Sequence, residues 1–182
     1  MPYLRESAVR GRGVKSLRPA EWVLREASSG RPSQYFDVFL SHSFLDAELV
    51  LRLKELLEDT GLTVYVDWID DNDFDRRRVT PATADRLRLR MEHSRSLIFA
   101  VTESSPSSKW MPWELGYFDG HKSGHVAILP LVDASPTFLG QEYVGLYPHV
   151  KVSDLSGFGL YVSSKTSGGA SLSSFVAHGA TA

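Results

Sequence analysis

Short apolar runs alternate along the chain with stretches whose apolar residues recur every three or four positions. The first run is YFDVFL, which begins at Tyr35 and is rich in residues that favour strands. After the polar turn SHS, five apolar residues follow at helical spacing: Leu49, Val50, Leu53, Leu56 and Leu57. The spacing ends at Gly61, a residue type that often follows the last turn of a helix. This part of the pattern predicts a strand, a turn and an amphipathic helix.

The same alternation is repeated further along the chain. Apolar runs predict three more strands, at residues 62–68, 96–101 and 126–132. Between them, Thr80 followed by Pro81 predicts the start of one helix, and another is expected to begin near Trp110 or Met111. Strands that alternate with helices indicate βαβ units with right-handed crossovers. The expected fold class is α/β, a flavodoxin-like three-layer fold with a central parallel β-sheet flanked by helices.

The two ends of the chain differ in composition and in hydrophobic pattern from this middle part. We expect a basic N-terminal extension at residues 1–33 with a short helix at 19–27, and the α/β domain at 34–150. A C-terminal extension at 151–182 is expected to be partly flexible. The stretch GQEYVGLYPHVKVSD is expected to hold a further helix and strand, whereas residues 163–182 consist mostly of small residues and are expected to fray.

Composition narrows the possible chemistry. The 182 residues include no Cys, so disulfides, thiol nucleophiles and Cys-based zinc sites are excluded. The longest apolar run, Leu97–Val101, is far shorter than a membrane-spanning helix, and no signal peptide is recognisable, so we expect a cytoplasmic protein without a membrane partner. Residues 1–33 carry seven basic and three acidic residues, and the remainder thirteen and nineteen. Without aromatic interleaving, this basic arm does not predict a nucleic-acid partner.

Candidate chemistry lies where the predicted strands end, because ligands of open parallel sheets bind beyond the carboxyl ends of the strands. Trp110 and Glu114 are four residues apart at a helix N-terminus, so they share a face, and the helix dipole favours an ionised Glu114. A fixed carboxylate beside a large aromatic plane suits a flat, cationic substrate. The alternative is structural: Glu114 complements the helix dipole, and Trp110 packs into the core.

Several motifs together resemble the Toll/interleukin-1 receptor (TIR) domains of bacteria. DVFLSHS is similar to the first-strand motif of that family, and Trp110 to Glu114 matches its WxxxE signature. The resemblance, which covers about residues 34–150, is to the NAD-cleaving TIR proteins of anti-phage defence. It implies cleavage of the nicotinamide–ribose bond of NAD+, with Glu114 as the catalytic residue.

The resemblance and the residue chemistry together suggest substrate contacts. Trp110 is expected to stack on the nicotinamide ring. Ser41, His42 and Ser43 are expected to donate hydrogen bonds to ribose or phosphate, with turn capping as the alternative. Asp67 and Trp68, at the end of the second predicted strand, are further candidates, with a strand-end carboxylate and a half-buried core Trp as the alternative.

The product, partners and class of activity stay open at this point. The product is linear ADP-ribose or a cyclic isomer, with NAD+ as substrate and no separate cofactor. Expected partners are further copies of the chain through TIR–TIR contacts and a separately encoded effector that senses the product. The alternatives are a non-catalytic TIR interaction module, a host-directed TIR effector, and another N-glycosidic enzyme of the deoxyribosyltransferase kind.

No metal site is expected. Asp71, Asp73 and Asp75 imitate the start of a calcium loop, but Arg76 stands where that loop needs Gly and Ala82 where it needs Glu. His121 and His125 have metal-ligand spacing, but the Gly between them is expected to end the helix that would align them.

Overall fold

The computed structural model describes residues 2–12, 34–71, 79–131, 142–153, 159–163 and 169–180. The described strands are β1 (Phe36–Ser41), β2 (Val64–Tyr65), β3 (Ser94–Val101), β4 (Val126–Pro130), β5 (His149–Val152), β6 (Leu160–Ser163) and β7 (Ala170–Ser171). The described α-helices are α1 (Glu6–Arg10), α2 (Ala47–Glu58), α3 (Asp67–Asp70), α4 (Pro81–Glu92), α5 (Met111–His121) and α6 (Leu172–His178). Three 3-10 helices lie at Phe44–Asp46, Ser105–Ser107 and Glu142–Leu146.

The seven strands form one sheet in the order β2-β1-β3-β4-β5-β6-β7. The first five strands in this order pair in parallel, as predicted, and β5, β6 and β7 pair antiparallel. The α/β prediction is confirmed, with a mostly parallel sheet rather than a wholly parallel one. The antiparallel part follows from chain connectivity, because β5 and β6 are joined by a connection too short to cross over and return in parallel.

Alternate side chains of β1 enter two different cores, one on each face of the sheet. Val38 and Leu40 belong to the core that α1, α2 and α6 cover. Phe39, between them, belongs to the core that α4 and α5 cover. Both faces of the strand are thus buried, which explains why its central residues, 38–40, are all apolar and confirms the three-layer arrangement.

Local sequence signals set the helix boundaries. The five leucine and valine positions predicted for the first long helix are all buried in α2. The Thr80 hydroxyl accepts a hydrogen bond from the Thr83 N–H at 3.1 Å, with Pro81 as the first helical residue of α4. Helix α5 begins at Met111, as predicted. These starts use the cap and first-turn residues that the sequence offers.

The second predicted strand is shorter than expected. Only Val64–Tyr65 pairs with β1, and the chain turns into the short helix α3 at Asp67. The Asp70 carboxylate accepts a hydrogen bond from the Val66 N–H at 2.7 Å, while the Val66 carbonyl accepts from the Ile69 and Asp70 N–H groups. This closed turn ends the strand, so the prediction of a strand over residues 62–68 was wrong at its C-terminal end.

The C-terminal segment is folded against the rest of the protein where the structure describes it. β6 and β7 extend the sheet, and the Ala180 N–H bonds to the Gly124 carbonyl at 2.7 Å. Helix α6 contributes three buried residues to the core: Leu172, Phe175 and Val176. This packing differs from the fraying expected for residues 163–182. The segment consists mostly of small residues, but its few large apolar residues form one face of a helix and pack into the core.

The first described residues also pack onto the domain. Leu4 and Val9 are buried in the same core as α2, and the Pro2 carbonyl accepts a hydrogen bond from the Val152 N–H at 2.9 Å. The helix predicted at residues 19–27 lies outside the described residues. Among those described, no helix has the length and apolar character needed to cross a membrane.

Candidate active site

The carboxyl ends of β1, β2 and β3 bring three separate chain segments to one edge of the sheet. β1 lies between β2 and β3, so the residues after Ser41 are flanked by α3 on one side and by the loop that starts at Thr102 on the other. The N-terminus of α5 follows that loop. This is the sheet edge at which we predicted the ligand crevice.

Ser41 and Glu114 are in direct contact at this edge. The Ser41 hydroxyl donates a hydrogen bond to Glu114 Oε2 at 2.6 Å, although the two residues are 73 positions apart in the chain. Ser41 is fully buried and Glu114 is 1% exposed. A short hydroxyl-to-carboxylate bond of this kind is charge-assisted when the carboxylate is ionised. The predicted catalytic residue is therefore held by a predicted substrate-binding residue.

Two features favour the charged form of the Glu114 carboxylate. Ser41 donates to it, and Glu114 lies in the first turn of α5, where the helix dipole is positive. Removal from water works against the charge. In a site of low dielectric, a carboxylate that stays ionised interacts strongly with a nearby positive charge.

His42 forms hydrogen bonds through both ring nitrogens. Nδ1 lies 2.8 Å from the Leu40 carbonyl oxygen, which only accepts, and Nε2 accepts from the Trp68 indole N–H at 3.0 Å. These partners require a neutral ring with its proton on Nδ1. His42, which we predicted as a donor to the substrate, is instead bonded within the protein at both nitrogens.

Asp67 completes this cluster beside the crevice. One carboxylate oxygen, Oδ1, accepts a hydrogen bond from the Trp68 backbone N–H at 2.8 Å and lies 3.7 Å from His42 Nε2. Asp67 and His42 are each 2% exposed, whereas Trp68 is half-buried. Asp67, Trp68 and His42 therefore join the end of β2 to the end of β1.

A cleft of about 410 Å³ opens at the same edge, a size within the range of small-molecule sites. Its described lining consists of Ser43, Phe44, Leu45, Val79, Ser107, Ser108, Lys109 and Trp110. Ser41 and Glu114 are absent from this lining, but Ser43 lies two residues after Ser41, and Trp110 lies about one helical turn before Glu114. Of the predicted substrate-binding residues, Ser43 and Trp110 thus face the cleft, while the other four lie in the buried contacts described above.

Trp110 begins a row of aromatic rings along α5. Its ring meets the Trp113 ring edge to face at a centroid distance of 5.4 Å, and the Trp113 ring stacks on Tyr117 at 5.7 Å. The Arg88 guanidinium lies 5.4 Å from the centre of the Trp113 ring. These contacts brace Trp110 from the side of α4, so the tryptophan at the cleft wall is held by packing that the sequence did not reveal.

A buried ion pair below this site was not predicted from the sequence. Arg90 donates to both carboxylate oxygens of Asp71, at 2.9 and 2.5 Å, and the Tyr65 hydroxyl donates to the same carboxylate at 2.9 Å. Burial raises the pKa of Asp71, but the hydrogen bonds from Arg90 and Tyr65 outweigh burial, and the net pKa is lowered. The pair ties the end of α3 to α4. Its position thereby fixes the helix that carries Asp67 and Trp68.

Among the described residues, no group of three or more His, Asp or Glu side chains is arranged to hold a metal ion. Most of the acidic stretch that imitates a calcium loop, including Asp73, Asp75 and Arg76, lies outside the described residues. Asp71, at its start, is engaged by Arg90.

Comparison with known proteins gives one family. A family model described as TIR domain matches residues 38–156 of this chain. The solved TIR domain of the Toll-related receptor TRR-2 from Hydra magnipapillata shares 22% identity, with a TM-score of 0.40 over 58% of this chain and 78% of that one.

Two curated bacterial proteins are similar in sequence. The probable 3′ cyclic ADP-D-ribose synthase ThsB′ of Bacillus cereus (strain MSX-D12) is 54% identical over 120 residues, 65% of this chain. The putative cyclic ADP-D-ribose synthase TIR2 of Cytobacillus dafuensis is 31% identical over 103 residues, 56% of this chain. The matched regions span 62% and 27% of the lengths of these two relatives.

Proposed function

The chain belongs to the TIR domain family, and on that premise we propose that it cleaves the nicotinamide–ribose bond of NAD+ and forms a cyclic ADP-ribose. The observation that carries the proposal is the contact between Ser41 and Glu114 at the carboxyl edge of the sheet. The names of two relatives, both cyclic ADP-D-ribose synthases, support the substrate and the cyclic product.

The buried carboxylate suits this reaction because the bond breaks through a transition state with positive charge on the ribose. The electron pair of the bond between C1′ and the nicotinamide nitrogen leaves with nicotinamide, which becomes neutral. The Glu114 carboxylate stabilises the resulting oxocarbenium-like ribose, in the way carboxylates act on glycosides. Ser41 donates a hydrogen bond to the carboxylate and so keeps it oriented while this charge develops.

Cyclisation requires that a nucleophile within the same molecule reach C1′ before water does. A ribose hydroxyl or ring nitrogen of the ADP-ribose part forms the new bond to C1′, and an attacking hydroxyl then loses its proton. The cleft wall at Phe44, Leu45, Val79 and Trp110 is apolar, which favours exclusion of water and stacking of a base. Attack by water at the same carbon would give linear ADP-ribose instead.

We further propose that the product is an immune signal in anti-phage defence, sensed by a separately encoded effector in the cytoplasm. Self-association through TIR–TIR contacts belongs to the same proposal. Exposed apolar side chains at the rim of the cleft, Phe44 at 53% and Leu45 at 73% exposure, are consistent with a surface that another copy covers.

The test is release of nicotinamide from NAD+ by concentrated protein, compared with the Glu114→Gln variant. The variant keeps the shape of the side chain and removes its charge, so we expect turnover to fall by at least two orders of magnitude. Glu58→Gln, the same change at an exposed residue of α2, is the control and is expected to retain activity. Chromatography of the product separates linear from cyclic ADP-ribose.

The outcomes distinguish the proposed enzyme from its alternatives. Full turnover by Glu114→Gln would contradict the role of Glu114. No turnover by the wild-type protein, with self-association retained, would favour a non-catalytic TIR interaction module. Exclusive formation of linear ADP-ribose would leave cleavage standing and overturn cyclisation.

A further inference from the structure

The cleft combines one charged side chain and three hydroxyl groups with an apolar lining. Lys109 is the only described lining residue with a formal charge, and the lining also includes Ser43, Ser107 and Ser108. Lys109 is exposed and forms no ion pair with any residue that the structure describes. The remaining described lining residues are apolar, so one positive charge and three hydroxyl groups are the polar groups of an otherwise apolar cleft.

Two of the three hydroxyl groups keep their hydrogen for a ligand. The Ser108 oxygen accepts from the Met111 N–H at 3.3 Å, and the Ser43 oxygen accepts from the Leu45 N–H at 3.4 Å. A hydroxyl that only accepts in these contacts still has one O–H to donate. The Ser107 hydroxyl, by contrast, donates to the Ser104 carbonyl at 2.7 Å. Lys109, Ser108 and Ser43 therefore present donors for which the described part of the chain shows no acceptor.

From this arrangement we infer that Lys109, with Ser108 and Ser43, binds the diphosphate of a dinucleotide and selects substrates that carry one. The inference rests on the proposed function, since it places the diphosphate relative to the bond that is cleaved. Along the chain the order is Lys109, then Trp110, then Glu114 one turn later. In NAD+ one ribose separates the diphosphate from the scissile bond, so a cation about one helical turn before Glu114 is suited to the diphosphate.

The charge of the rest of the protein makes this cation important. The chain after residue 33 carries thirteen basic and nineteen acidic residues, and Glu114 and Asp67 lie buried at the same edge. An anionic substrate that approaches this edge is repelled unless a local positive charge compensates. Lys109 supplies that charge at the cleft, on a long side chain that can follow the phosphates.

Equilibrium binding of ADP-ribose tests the inference without turnover. We expect Lys109→Ala to weaken ADP-ribose binding roughly tenfold or more, the loss of one charge-assisted hydrogen bond. Lys109→Arg should retain most of the affinity because it keeps the charge. The control is Arg95→Ala, which removes an exposed cation at the opposite edge of the sheet, next to Asp37, and should bind as the wild type does. Added salt should weaken wild-type binding more than binding by Lys109→Ala.

Kinetics on NAD+ provide a second readout. Lys109→Ala should raise KM with little change in kcat, because the lost contact lies away from the reacting atoms. Unchanged ADP-ribose affinity in Lys109→Ala, or equal losses in Lys109→Ala and Lys109→Arg, would overturn the assignment. Weaker ADP-ribose binding by Lys109→Ala, in a protein whose wild type does not turn over NAD+, would support the anion site and overturn the proposed function.

Discussion

Replacing Ser41 by Ala removes the hydroxyl that donates to Glu114 and changes little else. Both residues are buried, and the 2.6 Å distance between Ser41 Oγ and Glu114 Oε2 is at the short end of charge-assisted hydrogen bonds. Such a bond contributes about 1.5 to 3 kcal/mol. If the full amount is needed to keep the carboxylate charged and aligned in the transition state, the rate of NAD+ cleavage falls by about 10- to 150-fold.

The assay is the initial rate of nicotinamide release, with thermal unfolding measured on the same samples. Loss of a buried hydrogen bond also destabilises the fold, so the change in rate must be separated from a change in the folded fraction. Ser96→Ala is the matched control, because Ser96 is equally buried and its hydroxyl donates to the Asp37 carbonyl at 2.9 Å, far from the crevice. We expect both variants to lose similar stability and only Ser41→Ala to lose activity.

The result that would refute this reasoning is a Ser41→Ala protein, folded at the assay temperature, that cleaves NAD+ within a factor of two of the wild type. Equal losses of activity in Ser41→Ala and Ser96→Ala would also refute it, since a general effect on packing would then explain both.

Four other predictions concern the surroundings of the site and the packing of the C-terminal segment. Arg90→Met should destabilise the protein by about 3 kcal/mol in chemical denaturation, because the buried Asp71 carboxylate then keeps only the partly exposed Arg86, 3.5 Å away, as a cation. The pKa of Asp71 is lowered in the folded protein, so its contribution to stability is complete above its unfolded pKa of about 3.9 and is lost as the pH falls below that value. We therefore expect the free energy of unfolding of Asp71→Asn to approach that of the wild type only in acid. Gly179→Ala should lower the stability of the protein by about 1 to 3 kcal/mol, because Gly179 has φ +77° and an added Cβ would lie 3.0 Å from the Gly124 carbonyl oxygen. An unchanged Tm in this variant would mean that the C-terminal segment does not pack as described. The nitrogen chemical shifts of His42, measured by NMR, should show a neutral ring protonated at Nδ1. Trp68→Phe removes the indole N–H and should change the Nε2 shift. A proton on Nε2 in the wild type would contradict these hydrogen bonds.

The periodicity of apolar residues predicted the strand that is covered on both faces and the helix that buries one face. β1 has three consecutive apolar residues, Val38, Phe39 and Leu40, because both its faces are covered, and the buried face of α2 is visible as a periodic pattern in the sequence. The end of β2 was missed because a side chain, Asp70, closes the turn by bonding to the Val66 N–H. Helix α6 was missed although Leu172, Phe175 and Val176 are spaced as one helical face, because the surrounding small residues suggested a flexible tail.

The sequence predicted individual residues of the site but not the contacts between them. Ser41 and Glu114 were each placed at the ends of their elements, but only the strand order brings a serine and a glutamate 73 residues apart to 2.6 Å. The contact between His42 and Trp68 depends on a hydrogen bond from helix α3 to the residue that follows β1. Arg90 was missed because α4 carries three arginines in alternate positions. Two of them pair with Asp71, and Arg90 differs from Arg86 in being buried, which the sequence does not show.

The two described ends of the chain leave the sheet at opposite edges. Pro2 bonds to Val152 at the carboxyl end of β5, the edge that holds the crevice, whereas Ala180 bonds to Gly124, just before the amino end of β4. A fluorescent reporter or surface linker joined after Ala180 would thus stand away from the crevice, and one joined before Pro2 would stand at the crevice edge. Immobilised protein for binding measurements is best attached through its C-terminal side.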